Sequence, residues 1–453
     1  MKINSLYTRR NFIGAVGTAT AASVVLPSFS AFPAPKTKKR LALVGTGIRG
    51  LGMWSNDLVR TYGDQVEYVG LCDINPGRLA FAKKASGLSC PTFTDFEAMM
   101  RETKPDLLIV TTVDSNHHEF IIRGMELGAD IITEKPLTTD ELKCESILQA
   151  EKRTGKQVLV TFNYRYSPHR SKMYELLHGG EIGELTSVDF HWYLDTSHGA
   201  DYFRRWHRLK EKGGTLWVHK ATHHFDLLNW WIASDPAEVY ATGALDFYGK
   251  NNPFRHSHCR PCPHKNSCSF YWDITKNQFM MDLYAQNEQY DGYLRDGCVW
   301  KDDIDIYDKM AATIKYANGV QVSYSLTTYS PYEGYRIAFN GTKGRIDAWI
   351  EESNPVEKRD FDRIILYRNF GKREFIDIPH GSSGHGGGDR LMKDSIFGVK
   401  TDDPLHQRAS VRDGALSILV GIAARKSCES GLPVKIGDLT SIVPGVKRQI
   451  VEG

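Results

Sequence analysis

Three glycines at fixed spacing follow a short apolar run near residue 40. Gly45, Gly47 and Gly50 come directly after residues 40–44. In a strand–turn–helix unit the first glycine permits the tight turn, the second lets backbone N–H groups approach a pyrophosphate, and the third lets the helix pack closely on the strand. The phosphate would lie at the helix N-terminus, where unpaired amides and the helix dipole favour an anion. A glycine triplet alone also occurs in ordinary turns, so the residues that follow decide its meaning.

An acidic residue closes the next apolar run. Asp73 follows residues 68–72, at the place of the acid that accepts ribose hydroxyls. The complete order of strand, triplet, helix, strand and acid predicts a dinucleotide site, in which Ile48 and Arg49 also contact the cofactor. The carboxylate of Asp73 favours NAD because it repels the extra phosphate of NADP, but Arg78 could accommodate that phosphate. The predicted cofactor is therefore NAD, with NADP as the alternative.

Length and charge narrow the classes of function. A chain of 453 residues is long for one domain and suggests two. The net charge of +3 gives no argument for binding nucleic acid or an anionic membrane surface. A hydrophobic content of 41% is typical of a globular protein. Eleven per cent of the residues are aromatic, and flat rings suit the faces of sugars, although most tryptophans simply pack in cores.

The first 35 residues are typical of an export signal. The pair Arg9-Arg10 precedes a weakly apolar, Ala- and Gly-rich run that ends near residue 26, and small residues suited to cleavage lie near residue 30. The run is too short to span a bilayer comfortably, so no stable membrane insertion is expected after cleavage. The paired arginines predict a twin-arginine signal over residues 1–35 and a periplasmic or exported mature protein.

The pattern of the mature chain changes once. Strands and helices alternate over residues 36–165, which predicts an α/β dinucleotide-binding domain with a parallel sheet covered on both faces. Residues 166–453 are richer in strand-like segments with alternating side chains. They predict an α+β domain with a large, open, mostly antiparallel sheet. Long helices are predicted for residues 213–232 and 413–430.

At this point the chain resembles the Gfo/Idh/MocA family, that of glucose-fructose oxidoreductase and inositol dehydrogenase. The matching pieces recur in the family's order and cover almost the whole mature chain: GTGIRG (45–50), Asp73, TTVDSNHH (111–118), EKP (134–136), FNYRY (162–166), the segment 213–226 and NGTKGRI (340–346). The resemblance implies a Rossmann domain, a nicotinamide cofactor, and a carbohydrate or polyol substrate in the cleft between two domains. It also implies a homo-oligomer, either a dimer or a tetramer.

Lys135 matches the family's catalytic lysine. Hydride transfer from a carbinol needs a group that takes the hydroxyl proton, and a lysine can do so if desolvation lowers its pKa. Pro136 fixes the backbone beside it. The alternative is a solvated loop cation paired with Glu134, a residue that we expect to contact the cofactor together with Lys135.

Two histidines, His219 and His223, are four residues apart in the predicted helix and therefore share a face. In the family these positions usually carry Asp and His, which orient substrate hydroxyls and share the proton relay, so His219 departs from the pattern. The pair could share a proton at neutral pH. It could also bind a divalent metal with a third ligand, or consist of ordinary hydrogen-bonded interior histidines.

The remaining candidates come from loops. Thr112, Asn116 and His117 follow a predicted strand where family members contact the cofactor, although Asn and His there are equally typical of helix caps. Arg165 matches a family arginine near the active site but could form a core-edge ion pair. Trp206 could form part of a sugar-binding wall or pack in the interior. His385, in a Gly-rich loop, could close over the substrate.

A cluster of four cysteines has no role in the cofactor and substrate sites described so far. Cys259, Cys262 and Cys268 lie close together, and Cys298 follows. The spacing is that of a metal site, with neighbouring histidines as substitutes, but an exported protein could equally use the four thiols for two disulfides. The spacing does not separate these interpretations, and either would be structural.

The leading hypothesis is an NAD(P)-dependent oxidoreductase that moves a hydride between the nicotinamide and a hydroxyl or keto carbon of a sugar, sugar derivative or polyol. The first alternative is a glycosidase that uses the same cofactor transiently, because oxidation beside an acidic C–H permits elimination of the aglycone and re-reduction. The second is a non-catalytic sugar-binding protein, which the intact Lys135 and the complete glycine triplet disfavour.

Overall fold

A computed structural model describes residues 38–354, 359–381, 384–398 and 402–448. The predicted twin-arginine signal lies outside these described residues. Within them, no helix combines the length and apolar character needed to cross a bilayer.

The described strands are β1 (Lys39–Val44), β2 (Val66–Cys72), β3 (Thr92–Phe93), β4 (Leu107–Val110), β5 (Asp130–Thr133), β6 (Val158–Val160), β7 (Leu185–Asp195), β8 (Pro236–Ala244), β9 (Lys309–Tyr316), β10 (Gln321–Ser330), β11 (Glu333–Gly341), β12 (Gly344–Ser353), β13 (Phe361–Arg368), β14 (Arg373–Pro379), β15 (Ala409–Ser410) and β16 (Val434–Lys435).

The described helices are α1 (Ile48–Trp54), α2 (Asn56–Tyr62), α3 (Pro76–Ser86), α4 (Phe96–Thr103), α5 (His117–Glu126), α6 (Glu141–Thr154), α7 (Pro168–His178), α8 (Thr196–Arg204), α9 (Lys210–Gly213), α10 (Leu216–His219), α11 (Ala221–Ile232), α12 (Gln278–Leu283), α13 (Gly388–Phe397) and α14 (Val411–Ser430).

The described strands form two sheets, which confirms the predicted fold class. The first has the order β15-β6-β5-β4-β1-β2-β3, and its strands β1 to β6 pair in parallel. Its central strand β4 is buried along its whole length, as expected for a parallel sheet covered on both faces. The second sheet has the order β14-β13-β12-β11-β7-β10-β9-β8-β16, and only its β7–β10 pairing is parallel.

The chain returns to the first sheet near its end. Strand β15 pairs antiparallel with β6, which extends the parallel sheet by one strand. Met392 and Phe397 of α13 are buried in the same cluster as residues of α2. A linear boundary between residues 165 and 166 therefore does not contain the whole first sheet, because a pairing across some 250 residues leaves no local signal in the sequence.

The helix predicted for residues 213–232 is interrupted, and that prediction is wrong. Helix α10 ends at His219, Lys220 joins it to α11, and the residue before α10, Thr215, has a positive φ of 76°. All twelve residues of α11 are buried. A helix that is buried on every side lies at the centre of a core rather than at a surface. The second predicted helix is confirmed as α14, which starts with a capping box between Ser410 and Asp413.

A long excursion separates β8 from β9. Residues 245–308, called the excursion below, contain α12, several 3₁₀ turns and an isolated bridge between His258 and Gly297. Cys259, Cys262, Cys268 and Cys298 line one small cavity in it. Their thiols are free, and no three His, Cys, Asp or Glu side chains within the described residues are arranged to hold a metal ion.

A buried ion pair connects the central helix of the second domain to the first sheet. Arg165 Nε donates to Asp226 Oδ2 at 2.7 Å, Nη2 donates to Oδ1, and the two side chains are 0% and 1% exposed. Because Asp226 lies on α11 and Arg165 follows β6, the pair ties the central helix to the end of the parallel sheet.

We expect Asp226→Ala to lower the free energy of unfolding by about 3–5 kcal/mol, because it leaves the guanidinium of Arg165 buried without its main partner. Urea unfolding monitored by tryptophan fluorescence measures the loss. The matched control is Asp377→Ala, which removes the partner of Arg363 in a pair at the surface and should leave the midpoint nearly unchanged. Equal midpoints for the two variants would contradict the structural role of the buried pair.

Candidate active site

The glycine loop has the predicted geometry. Gly45 has a φ of +90°, and a Cβ atom on it would lie 2.6 Å from the Thr111 carbonyl oxygen. A Cβ atom on Gly50 would collide with the backbone of Gly45. The turn therefore requires glycine at both positions. Helix α1 begins at Ile48, whose amide donates to the hydroxyl of Tyr284 at 2.9 Å, so an oxygen acceptor fits against this helix start.

The same loop is fixed to the loop that carries the lysine. Glu134 is 4% exposed, and its Oε1 accepts from Arg49 Nε and from Trp54 Nε1, both at 2.8 Å. The side chains of Arg49 and Glu134 thus bind each other, and their predicted contacts with the cofactor stay predictions. Because Arg49 and Trp54 belong to α1, these contacts connect that helix directly to the loop that carries Lys135.

The loop after β4 is held by a histidine. His117 is 1% exposed, and its ring nitrogens lie 2.8 Å from the Pro136 carbonyl oxygen and 3.2 Å from that of Thr112. The His117 ring therefore bridges the loops that contain Thr112 and Pro136, and both of its nitrogens lie against carbonyl oxygens of these loops. Ser115 Oγ donates to Asn116 Oδ1 at 3.0 Å. Thr112 Oγ1 is buried and lacks a hydrogen-bond partner in the described residues, so it can bind an added polar group.

Lys135 and His219 meet across the two domains. Lys135 lies after β5, before a cis peptide bond to Pro136, and its Nζ lies 3.4 Å from His219 Nε2 and donates to the His219 carbonyl at 3.1 Å. That carbonyl lies at the break between α10 and α11, where the His223 amide donates to the Lys220 carbonyl instead. The helix break thus places an acceptor beside the ammonium group.

Burial lowers the pKa of Lys135 to about 8, and the negative charges of Asp114 and Glu134 offset part of that desolvation. An amine with this pKa can exchange a proton near neutral pH, which is the requirement for general acid–base catalysis.

Asp114 completes a chain of three groups. It begins the turn after β4, is 3% exposed, and its Oδ2 accepts from His219 Nδ1 at 2.5 Å. Burial raises the pKa of Asp114 and lowers that of His219, so the pair shares one proton. With the proton between Nδ1 and Oδ2, the lone pair of Nε2 faces the ammonium of Lys135. The arrangement Lys135–His219–Asp114 can relay a proton away from the lysine.

His223 lies beside this relay. Its ring stacks on Tyr164 at a centroid distance of 4.0 Å, and its pKa is lowered by burial and by the charge of Lys135. Its Nδ1 is buried and lacks a hydrogen-bond partner within the described residues, as does Nδ1 of His207, whose ring centroid lies 4.1 Å from that of His219. Buried nitrogens in this state require polar partners, and substrate hydroxyls can supply them.

The predicted substrate residues occupy different places. Trp206 is half-buried, stacks on His207, and has its ring centroid 5.9 Å from that of His219. His385 is exposed, lies 5.5 Å from the Tyr164 ring, and its Nδ1 is held 3.0 Å from Asp389. Arg165 differs from the expectation, because its guanidinium is fully buried against Asp226 and has no surface for a substrate.

Several site residues escaped the sequence analysis. Asp114 stands inside the motif 111–118 and Tyr164 inside 162–166, so an acid at the carboxyl end of a strand and an aromatic beside the domain boundary were available signals. His207 and Tyr284 carry no motif. They reach the site only through the packing of α8, α10 and the excursion.

Comparison with known proteins extends these observations. The family model "Oxidoreductase family, NAD-binding Rossmann fold" matches residues 39–162, and the model "Oxidoreductase family, C-terminal alpha/beta domain" matches residues 174–436. The Bacillus subtilis protein named "Putative oxidoreductase YteT" is 37% identical over 88% of this chain and 98% of its own length. An inositol 2-dehydrogenase/D-chiro-inositol 3-dehydrogenase of Lactiplantibacillus plantarum is 26% identical over 43% of this chain and 53% of its own length.

Solved structures share the fold. A levoglucosan dehydrogenase in complex with NADH and levoglucosan has a TM-score of 0.64 at 19% identity and covers 88% of this chain and 99% of its own. An oxidoreductase from Agrobacterium radiobacter in complex with NAD⁺, L-tartaric acid and magnesium has a TM-score of 0.61 at 17% identity and covers 89% of this chain and all of its own.

We expect the ammonium of Lys135 to titrate near pH 8, well below the usual pKa of a lysine, because its surroundings desolvate it. NMR of reductively ¹³C-methylated protein measures this titration, with Lys135→Met assigning the signal. In Asp114→Asn the pKa of Lys135 should fall further, since the variant removes a negative charge that favours the ammonium form. A wild-type value near 10, or a rise in the variant, would contradict the relay geometry.

Proposed function

Because the chain belongs to the Gfo/Idh/MocA oxidoreductase family and binds NAD, we propose that it transfers a hydride between that cofactor and a hydroxyl-bearing or keto carbon of a sugar, sugar derivative or polyol. The observation that carries the proposal is the contact between Lys135 Nζ and His219 at the end of β5, beside the glycine loop. Active sites of such sheets lie at the carboxyl ends of the strands.

The residues present fit the cofactor. At the start of α1 the amide of Ile48 donates to an oxygen, the hydroxyl of Tyr284; Asp73 directly follows β2, and the buried Thr112 Oγ1 lacks a hydrogen-bond partner within the described residues. When bound, NAD accepts or returns the hydride. All other steps fall to the protein, which must hold the substrate, exclude water and move one proton.

Lys135 is the group that takes the hydroxyl proton as the C–H bond is broken. Its amine can pass the proton on to His219 Nε2, while Asp114 accepts the hydrogen bond of the opposite ring nitrogen and so keeps the Nε2 lone pair directed at Lys135. Asp114 thus supplies the carboxylate that position 219 lacks. His223 and His207 offer buried nitrogens to neighbouring hydroxyls, which suits a polyhydroxylated substrate better than a simple alcohol.

Two relatives support the substrate class. One is an inositol dehydrogenase and the other a levoglucosan dehydrogenase, whose substrates are a polyol and a sugar derivative respectively. Trp206, half-buried beside His219, adds an aromatic face of the kind that packs on sugar rings.

We also propose that the protein forms a homo-oligomer and that it is exported. The outer face of the second sheet carries exposed Trp349, Phe361 and Phe375, which suits association of copies into a dimer or tetramer. The paired Arg9-Arg10 supports export by the twin-arginine route.

We expect Lys135→Met to lower kcat by two or more orders of magnitude while NAD binding is retained, because the variant keeps the side-chain length and loses only the base. NADH formation at 340 nm with inositols, free sugars and glycosides measures turnover, and the wild-type rate of oxidation should rise with pH up to about 8. Lys152→Met, on the exposed face of α6, is the control.

Undiminished turnover in Lys135→Met would refute the assigned base. Cleavage of a glycoside without net NADH would refute simple oxidation and indicate the transient-oxidation glycosidase, which uses the same relay.

For the export route, we expect Arg9-Arg10→Lys-Lys to leave the precursor inside the cell, since this pathway reads the paired arginines. Fractionation and immunoblotting of cells that express either version measure the distribution. The matched control is Lys38-Lys39→Arg-Arg, which lies beyond the predicted signal. Unaffected export of the altered precursor would exclude the twin-arginine route.

A further inference from the structure

The ribose end of the dinucleotide site is built from more than the glycine loop. Asp73 is 7% exposed, and its Oδ2 accepts from the amide of Thr46 at 2.8 Å and from its hydroxyl at 3.1 Å. Its Oδ1 accepts from the amide of Asn75 at 2.9 Å. The carboxylate is therefore fixed in orientation by the loop before α1 and the turn before α3.

Arg78 is shared between two carboxylates. Its Nη2 donates to Asp73 Oδ1 at 3.1 Å, and its Nη1 donates to Asp291 Oδ2 at 2.5 Å. The side chains of Arg78 and Asp291 are only 12% and 17% exposed, so solvent screens the trio weakly. One guanidinium between two carboxylates gives a net charge of −1.

Asp291 belongs to the excursion, which docks on the dinucleotide fold at several points. Asn75 Nδ2 donates to the Asn287 carbonyl at 3.0 Å, and Leu283 and Tyr284 pack in a buried cluster with Leu51 and Ala82. A Cβ atom on Gly77 would collide with Asn287 Oδ1. The position of Asp291 therefore follows from a packed interface and not from a chance surface contact.

A ribose 2′-phosphate needs a free arginine side chain, which the trio of Asp73, Arg78 and Asp291 does not provide. Phosphate carries between one and two negative charges near neutral pH, and proteins bind it with the free fork of an arginine. Here both terminal nitrogens of Arg78 donate to carboxylates. Ribose hydroxyls carry no charge and donate hydrogen bonds, so an acidic site suits them.

We propose that Asp291 determines the choice of cofactor: by drawing Arg78 into a pair with Asp73, it makes the site accept NAD and reject NADP. The sequence alone left Arg78 as a group that could accommodate the additional phosphate, and the excursion removes that option. The proposal concerns nucleotide binding only, so it stands or falls independently of the substrate and of Lys135.

The test is competitive binding of NAD⁺ and NADP⁺ to the full-length protein, measured by native mass spectrometry and by the thermal shift that each nucleotide produces. We expect the wild type to prefer NAD⁺ by about two orders of magnitude. Asp291→Asn, which keeps the shape of the side chain, should reduce that preference about tenfold or more through tighter binding of NADP⁺. Asp291→Glu should retain it.

Two further variants make the result specific. Asp302→Asn changes an exposed acid of the same excursion and should leave the ratio unchanged. Arg78→Leu combined with Asp291→Asn should abolish the gain in NADP⁺ binding, because the positive charge of Arg78, which Asp291 no longer offsets, is its source. An unchanged ratio in a folded Asp291→Asn variant, or a wild type that prefers NADP⁺, would overturn the proposal.

Discussion

The site depends on an ammonium group taken largely out of water at the meeting of two domains. Desolvating a lysine costs several kcal/mol unless polar groups replace the lost water. For Lys135 the replacements are the carbonyl and Nε2 of His219, with the charges of Asp114 and Glu134 behind them. They come from the ends of β4 and β5 and from α10. The chemistry of the lysine is therefore a property of the assembled domains, and neither domain supplies it alone.

Rigidity around this group comes from contacts that serve no chemical step. Glu134 is tied to α1 through Arg49 and Trp54, and His117 spans the Thr112 and Pro136 carbonyls. These bonds make the glycine loop, the loop after β4 and the lysine loop a single unit. Because hydride transfer tolerates little error in distance, fixing Lys135 relative to α1 would also fix it relative to any dinucleotide held at the glycine loop.

Local patterns explain what the sequence could predict. The glycines, Asp73 and the switch from alternating strands and helices to strand-rich sequence each depend on neighbours in the chain. They predicted the two-sheet fold, which the structure confirms, and the tight turn at Gly45. Interactions between residues far apart in the sequence could not be predicted from it. Asp114 and His219 are 105 residues apart in the sequence. The helix break at Lys220 depends on packing, which the mostly apolar sequence of α10 and α11 does not reveal. Arg165 matched a motif, yet its role is set by Asp226 on a distant helix.

The trio of Asp73, Arg78 and Asp291 shows how one contact can stabilise a fold and tune a site together. Deleting Arg78 would leave the carboxylates of Asp73 and Asp291 facing each other without the guanidinium between them, so its loss would weaken the docking of the excursion as well as change the charge at the ribose end. Replacing the carboxylate of Asp291 by an amide keeps a hydrogen-bond acceptor for the guanidinium and removes only the charge. At Asp291 the electrostatic role can therefore be separated from the structural one, whereas at Arg78 it cannot. Because of this difference, a change at Asp291 can alter the choice of cofactor while the fold is kept.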